Sequence, residues 1–332
     1  MSGVKMMNTR KLPPIKKIDD LIKVAQKLPA KKVVIAGADY PTELQSAAFA
    51  VKKKIIKTAI LVGNPKKILY FSKQLNIEIS SREYEIIAIH GEEETAKQSV
   101  IAIKEGRGEI LLKGHISSPV LTKRVLDKNL GLRMERIISQ VTLAEIPEQG
   151  INRIILLTDP GVNNVYNYEK MVQMIENAAE VAHLVLSVKE PRVAALSANE
   201  KIMESLNSTL IADALTKKRW KDVILYGPLS YDLAIDPDSV KTKKVEKNTL
   251  ARKVAGKADI LLAPNMDAAN IIYKNWMELA KKGKTKMANI VIGATVPYII
   301  PSRADPSETK LYSLALCSIF IEVKNTFKDV KF

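Results

Sequence analysis

The chain has 332 residues, enough for two domains of ordinary size, and its 46% hydrophobic and 27% charged content is that of a globular protein with ample core. No apolar run approaches the roughly 18 residues needed to span a bilayer, and the single cysteine, Cys317, excludes an internal disulfide framework. The formal net charge of +16 comes from lysines spread along the chain, and aromatics, at 5%, are not interleaved with the basic clusters at Lys52–Lys54, Lys217–Arg219, Lys241–Lys247 and Lys281–Lys286. That pattern argues against a single-strand stacking platform and for a basic surface around an anionic small ligand, with no nucleic-acid or membrane partner. The first residues, Met1 to Pro14, contain no signal-peptide apolar region, so a cytoplasmic location is expected. Cysteine–histidine zinc spacing is absent and no metal site is expected.

The periodicity predicts a helix over Ile18–Leu28, with apolar residues at 18, 21, 22, 24, 25 and 28. A rhythm then begins. The run from Lys32 to Gly37 is followed by a helical stretch at Glu43–Lys53, and Ala59–Gly63 by one at Pro65–Asn76. Ile86–His90 and Ile110–Gly114 continue it, with Glu92–Lys104 helical between them. Continuous apolar runs alternating with helices indicate a parallel sheet buried on both faces.

The register changes at Ile137–Leu157. Two apolar runs there are separated only by Ala144–Arg153, around Pro147 and Gly150, which reads as a hairpin or an antiparallel insertion and as a sub-domain boundary. The strand–helix rhythm resumes at Val193–Ser197, Val223–Pro228 and Ile260–Pro264, and Val291 is placed in the last such strand. Cys317 falls in an apolar helix and is expected to be a packed thiol.

Common nucleotide fingerprints fail. Gly106-Arg-Gly108 would need a third glycine where Leu111 stands, and Gly283-Lys284-Thr285 would need one at Glu278. No histidine forms a Ser/His/Asp arrangement recognisable by spacing. What remains is a set of polar residues at the carboxyl ends of strands, where open α/β sheets bind ligands. They are Lys113 to Ser118, Thr158-Asp159, Ser197 to Asn199, Gly227 to Leu229, and Pro264 through Lys274. Each has a local alternative: glycines turn, serines and aspartates cap helices, and His115 can fill a hydrogen-bonded core position.

The stretch Val291–Lys310 is the most informative. Its apolar run reaches Pro301, and Ser302-Arg-Ala-Asp305 then stands before an apolar helix. Asp305, Pro306 and Glu308 sit where an N-cap, a first helical residue and a capping-box acid belong. Ser302 and Arg303 at the mouth of such a helix suit a phosphate, favoured by free N–H groups and the dipole, the alternative for the tetrapeptide alone being that they only finish a loop. The same reading occupies the Asp305 carboxylate with helix N–H groups, which makes it a poor base, and expects asparagine to replace it at little cost.

From about Lys31 to about Ile321 the chain resembles the phosphate acetyl/butyryltransferase family, most closely its butyryltransferase branch. The resemblance rests on Ala36-Gly-Ala38, Ile60-Leu-Val-Gly63, Leu111-Leu-Lys-Gly-His-Ile-Ser117 and Val125-Leu-Asp-Lys128. It continues through Leu157-Thr-Asp159, Pro191 to Ala198, Gly227-Pro-Leu229, Ala258 to Pro264, Asn270-Ile-Ile-Tyr-Lys274, Val291 to Ala294 and Ser302 to Asp305. It implies an α/β fold with the two-domain isocitrate/isopropylmalate dehydrogenase-like architecture: mostly parallel sheets, a cleft between domains, and usually a homodimer. The corresponding division is residues 1–136 with 291–332, and 137–290. The implied reaction interconverts short-chain acyl-CoA plus phosphate and acyl phosphate plus CoA, with coenzyme A as substrate and no obligatory cofactor.

Residue by residue, Ser302 and Arg303 match the family's catalytic Ser-Arg pair. Lys113, His115, Lys123, Asn270, Tyr273 and Lys274 fall at substrate-binding positions. Lys123 stands where the family has a second phosphate-facing arginine, beside Arg124. The Ser-Arg-Ala-Asp word favours a butyryl-like or branched acyl group over acetyl. Three positions depart from the family. Thr309 stands where the acetyl branch has its proposed base aspartate, which leaves the base unassigned; Ala269 replaces a glycine; Asn163 to Asn167 replaces Asn-Ile-Ala-Pro-Asp. Two other readings are carried: an NAD(P)-linked decarboxylating dehydrogenase of the same architecture, and a coenzyme A- or nucleic-acid-binding homologue weakened as a catalyst.

Overall fold

The computed structural model describes residues 12–79, 82–147, 150–302 and 305–328. The first third is built from α1 (Ile18–Ala25), β1 (Lys31–Ala36), α2 (Pro41–Lys52), β2 (Ile56–Gly63), α3 (Pro65–Gln74), β3 (Tyr84–Ala88), α4 (Glu92–Lys104), β4 (Ile110–Lys113) and α5 (Ser118–Val125). Then come β5 (Ser139–Ile146), β6 (Ile151–Thr158), α6 (Tyr168–Leu186), β7 (Arg192–Leu196), α7 (Asn207–Lys217), β8 (Ile224–Leu229), α8 (Tyr231–Ile235), α9 (Pro237–Thr242) and α10 (Leu250–Val254). The chain continues with β9 (Ile260–Leu262), α11 (Met266–Lys281), β10 (Lys286–Ile292), β11 (Tyr298–Ile299) and α12 (Ser307–Lys328).

The eleven strands of the described residues join one sheet in the order β3-β2-β1-β4-β11-β10-β5-β6-β9-β7-β8. Pairing is parallel on both flanks and antiparallel only in the middle, where β5 meets β6 as the expected hairpin and β10 meets both β5 and β11. The strand holding Val291 is therefore not one more parallel strand of the rhythm. The chain reverses through residues 293–297 and returns as the short β11, parallel to β4. Gly293 permits that reversal: it has φ +99, and a Cβ there would lie 2.1 Å from the Ile137 carbonyl oxygen.

Strand alternation sends odd and even residues to opposite faces, and the two faces are organised differently. One face carries a single core across the whole sheet, uniting Val33, Ile110, Leu143, Leu156, Val193 and Ile290 with helices α1, α2, α6 and α12. The other face carries two separate cores. Val34, Leu111, Val291 and Tyr298 pack with α4 and α5. Ala144, Ile155, Leu261 and Met287 pack with Trp276 and its neighbours on α11.

Helix α12 is the spine of the continuous core. Leu314, Ala315, Leu316 and Cys317 are all buried, so the thiol is packed as expected and burial pushes its pKa up. Its first turn is tied to the first turn of α2. Buried Lys310 donates to Glu43 at 2.7 Å and to Thr42 at 3.0 Å. An ion pair so enclosed holds one arrangement of the two helix starts, because either charge left alone would be costly. No described helix is long and apolar enough to cross a membrane.

Candidate active site between two half-cores

On the interrupted face a polar seam fills the gap between the two half-cores. Alternation turns Gln140 and Thr142 of β5 and Asn289 of β10 toward it, and all three are buried. Thr142 donates its hydroxyl to Asn289 Oδ1 at 2.7 Å, and the Gln140 amide reaches the same oxygen at 3.4 Å. Asn289 Nδ2 then faces the Tyr273 hydroxyl at 3.4 Å. Tyr273 donates to both oxygens of Asp305, at 3.0 and 2.8 Å.

Helix α11 supplies one wall. Asn265 caps it by accepting from Ala268 N–H at 2.8 Å, and Asn270, Tyr273 and Lys274 follow at i, i+3 and i+4, on one helix face. Asn270 donates to the Pro160 carbonyl at 2.8 Å. The Lys274 ammonium lies 3.0 Å from Ser302 Oγ and over the Tyr273 ring. The turn after β11 supplies the facing wall. Ser302 N–H donates to Asp305 Oδ2 at 3.0 Å, and Asp305 N–H donates to the Ser302 carbonyl at 3.0 Å.

Asp305 is therefore not the helix cap its sequence position suggests. Helix α12 begins at Ser307, which leaves Asp305 outside it. Its carboxylate is taken up by Tyr273 and by the Ser302 N–H instead of by the helix. Burial raises its pKa above the ordinary value, with the Tyr273 and Ser302 bonds and nearby Lys274 and Lys310 opposing the rise. Glu308 accepts from Tyr312, one turn on, at 3.0 Å.

The structure brings Ser302, Tyr273, Lys274 and Asn270 into this seam. Arg303 lies outside the described residues. Lys113 and His115 stand at the carboxyl end of β4, the strand that β11 pairs with through Leu111 and Leu112. Lys113 is buried, and its ammonium donates to the carbonyls of Gly114 and Ile116 at 3.1 Å each. That loop has room only for glycine at 114, where a Cβ would meet the Gly37 carbonyl oxygen at 2.2 Å. His115 is exposed and stacks on Tyr40 with ring centres 4.5 Å apart, so it does not fill a core position. Lys123 is exposed on α5, while its neighbour Arg124 pairs with Glu93 at 2.9 Å.

At the seam's other end Asp159 is fully buried and accepts from the N–H groups of Gly161, Val162 and Asn163 and from the Asn163 amide. Burial raises its pKa. The buried Tyr298 hydroxyl stands near this carboxylate, whose charge adds to the effect of burial in raising the tyrosine's pKa. The departures from the family pattern have local tasks. Tyr166 donates to the Asp159 carbonyl, Asn167 caps α6, and Ala269 is packed in the half-core. Thr309 is buried in the first turn of α12.

Sequence reasoning missed Gln140, Thr142 and Asn289. The available signal was polar side chains at alternate positions of strands that are otherwise apolar.

The profile of the family described as "Phosphate acetyl/butaryl transferase" matches residues 92–318. The phosphate butyryltransferase of Clostridium beijerinckii is 33% identical over 308 residues, covering 92% of this chain and 97% of that protein. The phosphate acetyltransferase of Thermotoga maritima is 32% identical over 294 residues, covering 87% and 95%. A solved branched-chain phosphotransacylase from Enterococcus faecalis superposes with a TM-score of 0.72 at 28% identity, over 87% of this chain and 98% of that one. The chain belongs to the phosphate acetyl/butyryl transferase family.

Proposed function

We infer that this chain is a phosphate acyltransferase that interconverts acyl-CoA plus phosphate and acyl phosphate plus CoA. The observation that carries the reading is the meeting of Lys274 and Ser302 at 3.0 Å, at the end of β11 and just ahead of the buried helix α12. Phosphate is the reactant such a place suits. It would take hydrogen bonds from the Ser302 hydroxyl and the Lys274 ammonium, and a two-pronged pair from Arg303.

A phosphate oxygen attacks the thioester carbonyl, the C–S bond breaks, and CoA leaves as a thiolate. Negative charge builds on the carbonyl oxygen and then on sulfur, and the cationic wall of the seam stabilises it. In the reverse direction the thiol must lose its proton, because a free thiol with a pKa of about 8.5 is mostly protonated at neutral pH. Asn270 on the α11 face, and Lys113, His115 and Lys123 on the β4–α5 side, belong to the substrate-binding walls in this reading.

The acyl group is proposed to be butyryl-like or branched. This chain's Ser-Arg-Ala-Asp word and the similarity to a butyryltransferase and a branched-chain transacylase support that choice. The seam is proposed as the cleft of the two-domain isocitrate/isopropylmalate dehydrogenase-like architecture. One half-core draws on residues 144–287, inside the proposed 137–290 domain, and the other mainly on residues 34–132 and 291–300. A cytoplasmic homodimer that needs no metal completes the proposal, and turnover after exhaustive chelation tests the last point.

The decisive assay is thiol release from butyryl-CoA with and without added phosphate. Release that depends on phosphate, and is faster with butyryl- than with acetyl-CoA, is expected. Release indifferent to phosphate would remove the reading.

A further inference from the structure

We propose that Asp305 and Tyr273 are positioning residues for this reaction, holding the backbone of Ser302 against α11 so that its hydroxyl and the Lys274 ammonium meet at one point. The proposal rests on Ser302 lying at the phosphate site. Its starting observation is a chain of buried side chains whose donations converge on Asp305. Asn289 Oδ1 accepts from Thr142 at 2.7 Å and from Gln140 at 3.4 Å, so its Nδ2 is the group left to face Tyr273. The Tyr273 oxygen accepts there, and its own proton is left for Asp305. Asp305 is in turn an acceptor at both oxygens, and one of them also takes the Ser302 N–H. The chain thus begins on two strands of the sheet, passes through α11 and ends on the residue that meets Lys274.

Burial decides what kind of role this is. Asp305 and Tyr273 are each only 4% exposed, and the carboxylate's oxygens are already engaged by Tyr273 and Ser302. Neither residue presents a free face to a substrate, so neither is the group that takes the thiol proton. What they control is geometry. Tyr273 and Lys274 are neighbours on α11, so a bond from Tyr273 to the Ser302 turn also fixes where Lys274 stands relative to Ser302. Misplacing a catalytic contact by about 1 Å can cost about a hundredfold in rate. The sequence hides this arrangement because Asp305 sits two residues before α12 and resembles a cap.

The test uses the full chain and phosphate-dependent thiol release from butyryl-CoA, with Tyr273→Phe, Asp305→Asn and the double variant. Tyr273→Phe keeps the ring and its packing, so it remains informative if Asp305→Asn folds poorly. We expect Tyr273→Phe to lower kcat by about tenfold, with the KM for acyl-CoA changed by less than about twofold. We expect the double variant to be no worse than the worse single one, because the two act as a unit. In a Ser302→Ala background, adding Tyr273→Phe should have no further effect, a coupling that a purely structural role would not produce. The pH profile of kcat should keep its shape in Tyr273→Phe and in Asp305→Asn. Wild-type kcat in Tyr273→Phe overturns the proposal, as does an equal loss with and without Ser302. Loss of one limb of the pH profile in Asp305→Asn also overturns it, by making Asp305 the base. A wild-type chain without phosphate-dependent release overturns the acyltransferase reading and this proposal with it.

Discussion

The two faces of the sheet differ in a way that separates stability from chemistry. On the α12 face one apolar core runs unbroken under both halves of the molecule. On the α11 face two half-cores stop short of each other, and Gln140, Thr142, Asn289, Tyr273 and Asp305 occupy the gap. Apolar burial is non-directional and tolerates variation in partners, whereas a buried hydrogen-bond chain must be satisfied throughout and fixes one arrangement. The unbroken face thus serves as a foundation, and the interrupted face holds the groups of the proposed site in place.

If that division is right, damage to the two faces should show up in different measurements. The largest stability effect should come from the foundation. Leu314→Ala in α12, at a fully buried position, should cost about 2–5 kcal/mol. Denaturant unfolding would read that loss, while kcat per folded molecule should stay near wild type. A lower kcat at full stability would show that the unbroken face also shapes the site.

The next effect should fall on activity alone. A charged hydrogen bond to phosphate contributes about 1.5–3 kcal/mol, and each 1.4 kcal/mol is about one decade of rate. Arg303→Ala should therefore lower kcat/KM by at least about tenfold without moving Tm, and Arg303→Lys should recover only part, lacking the planar fork. A silent Arg303→Ala would take that residue out of the phosphate site.

The rhythm of apolar runs and helices made most of this fold legible. Helix α4 was expected over Glu92–Lys104 and occurs there, and the hairpin around Pro147–Gly150 is formed by β5 and β6. The reversal between β10 and β11 was hidden, because β11 is only two residues long and an apolar run does not reveal its direction. Within the site, Asn270, Tyr273 and Lys274 could be named in advance from the family resemblance, although not the helix face they share. The Asp305 contact could not. A short acid before Pro306 favours a cap locally, but the tertiary packing brings the Tyr273 hydroxyl to the same carboxylate, and that contact prevails.

The smallest effect expected is in pH dependence. Burial raises the folded-state pKa of Asp305 above its ordinary value of 3.8. The stability tied to its protonation is therefore present below that value and is lost as pH rises through the raised one. Asp305→Asn lacks this dependence, while Asp159, raised for the same reason, remains in both proteins and cancels. The Tm of Asp305→Asn relative to wild type should therefore climb as pH rises above that ordinary value. A flat or falling difference would mean that the carboxylate is better stabilised than its burial implies.

The central claim is that acyl transfer to phosphate takes place where α11 meets the turn after β11, and Lys274→Met tests it most directly. Lys274 is half-buried and contributes its ammonium to Ser302 at 3.0 Å. Replacing it removes the charge while keeping most of the side-chain length. The account predicts that kcat/KM for phosphate, measured by thiol release at saturating butyryl-CoA, falls by at least about tenfold at unchanged Tm. An unchanged kcat/KM for phosphate in a protein that melts normally would contradict the account and place the chemistry elsewhere in the fold.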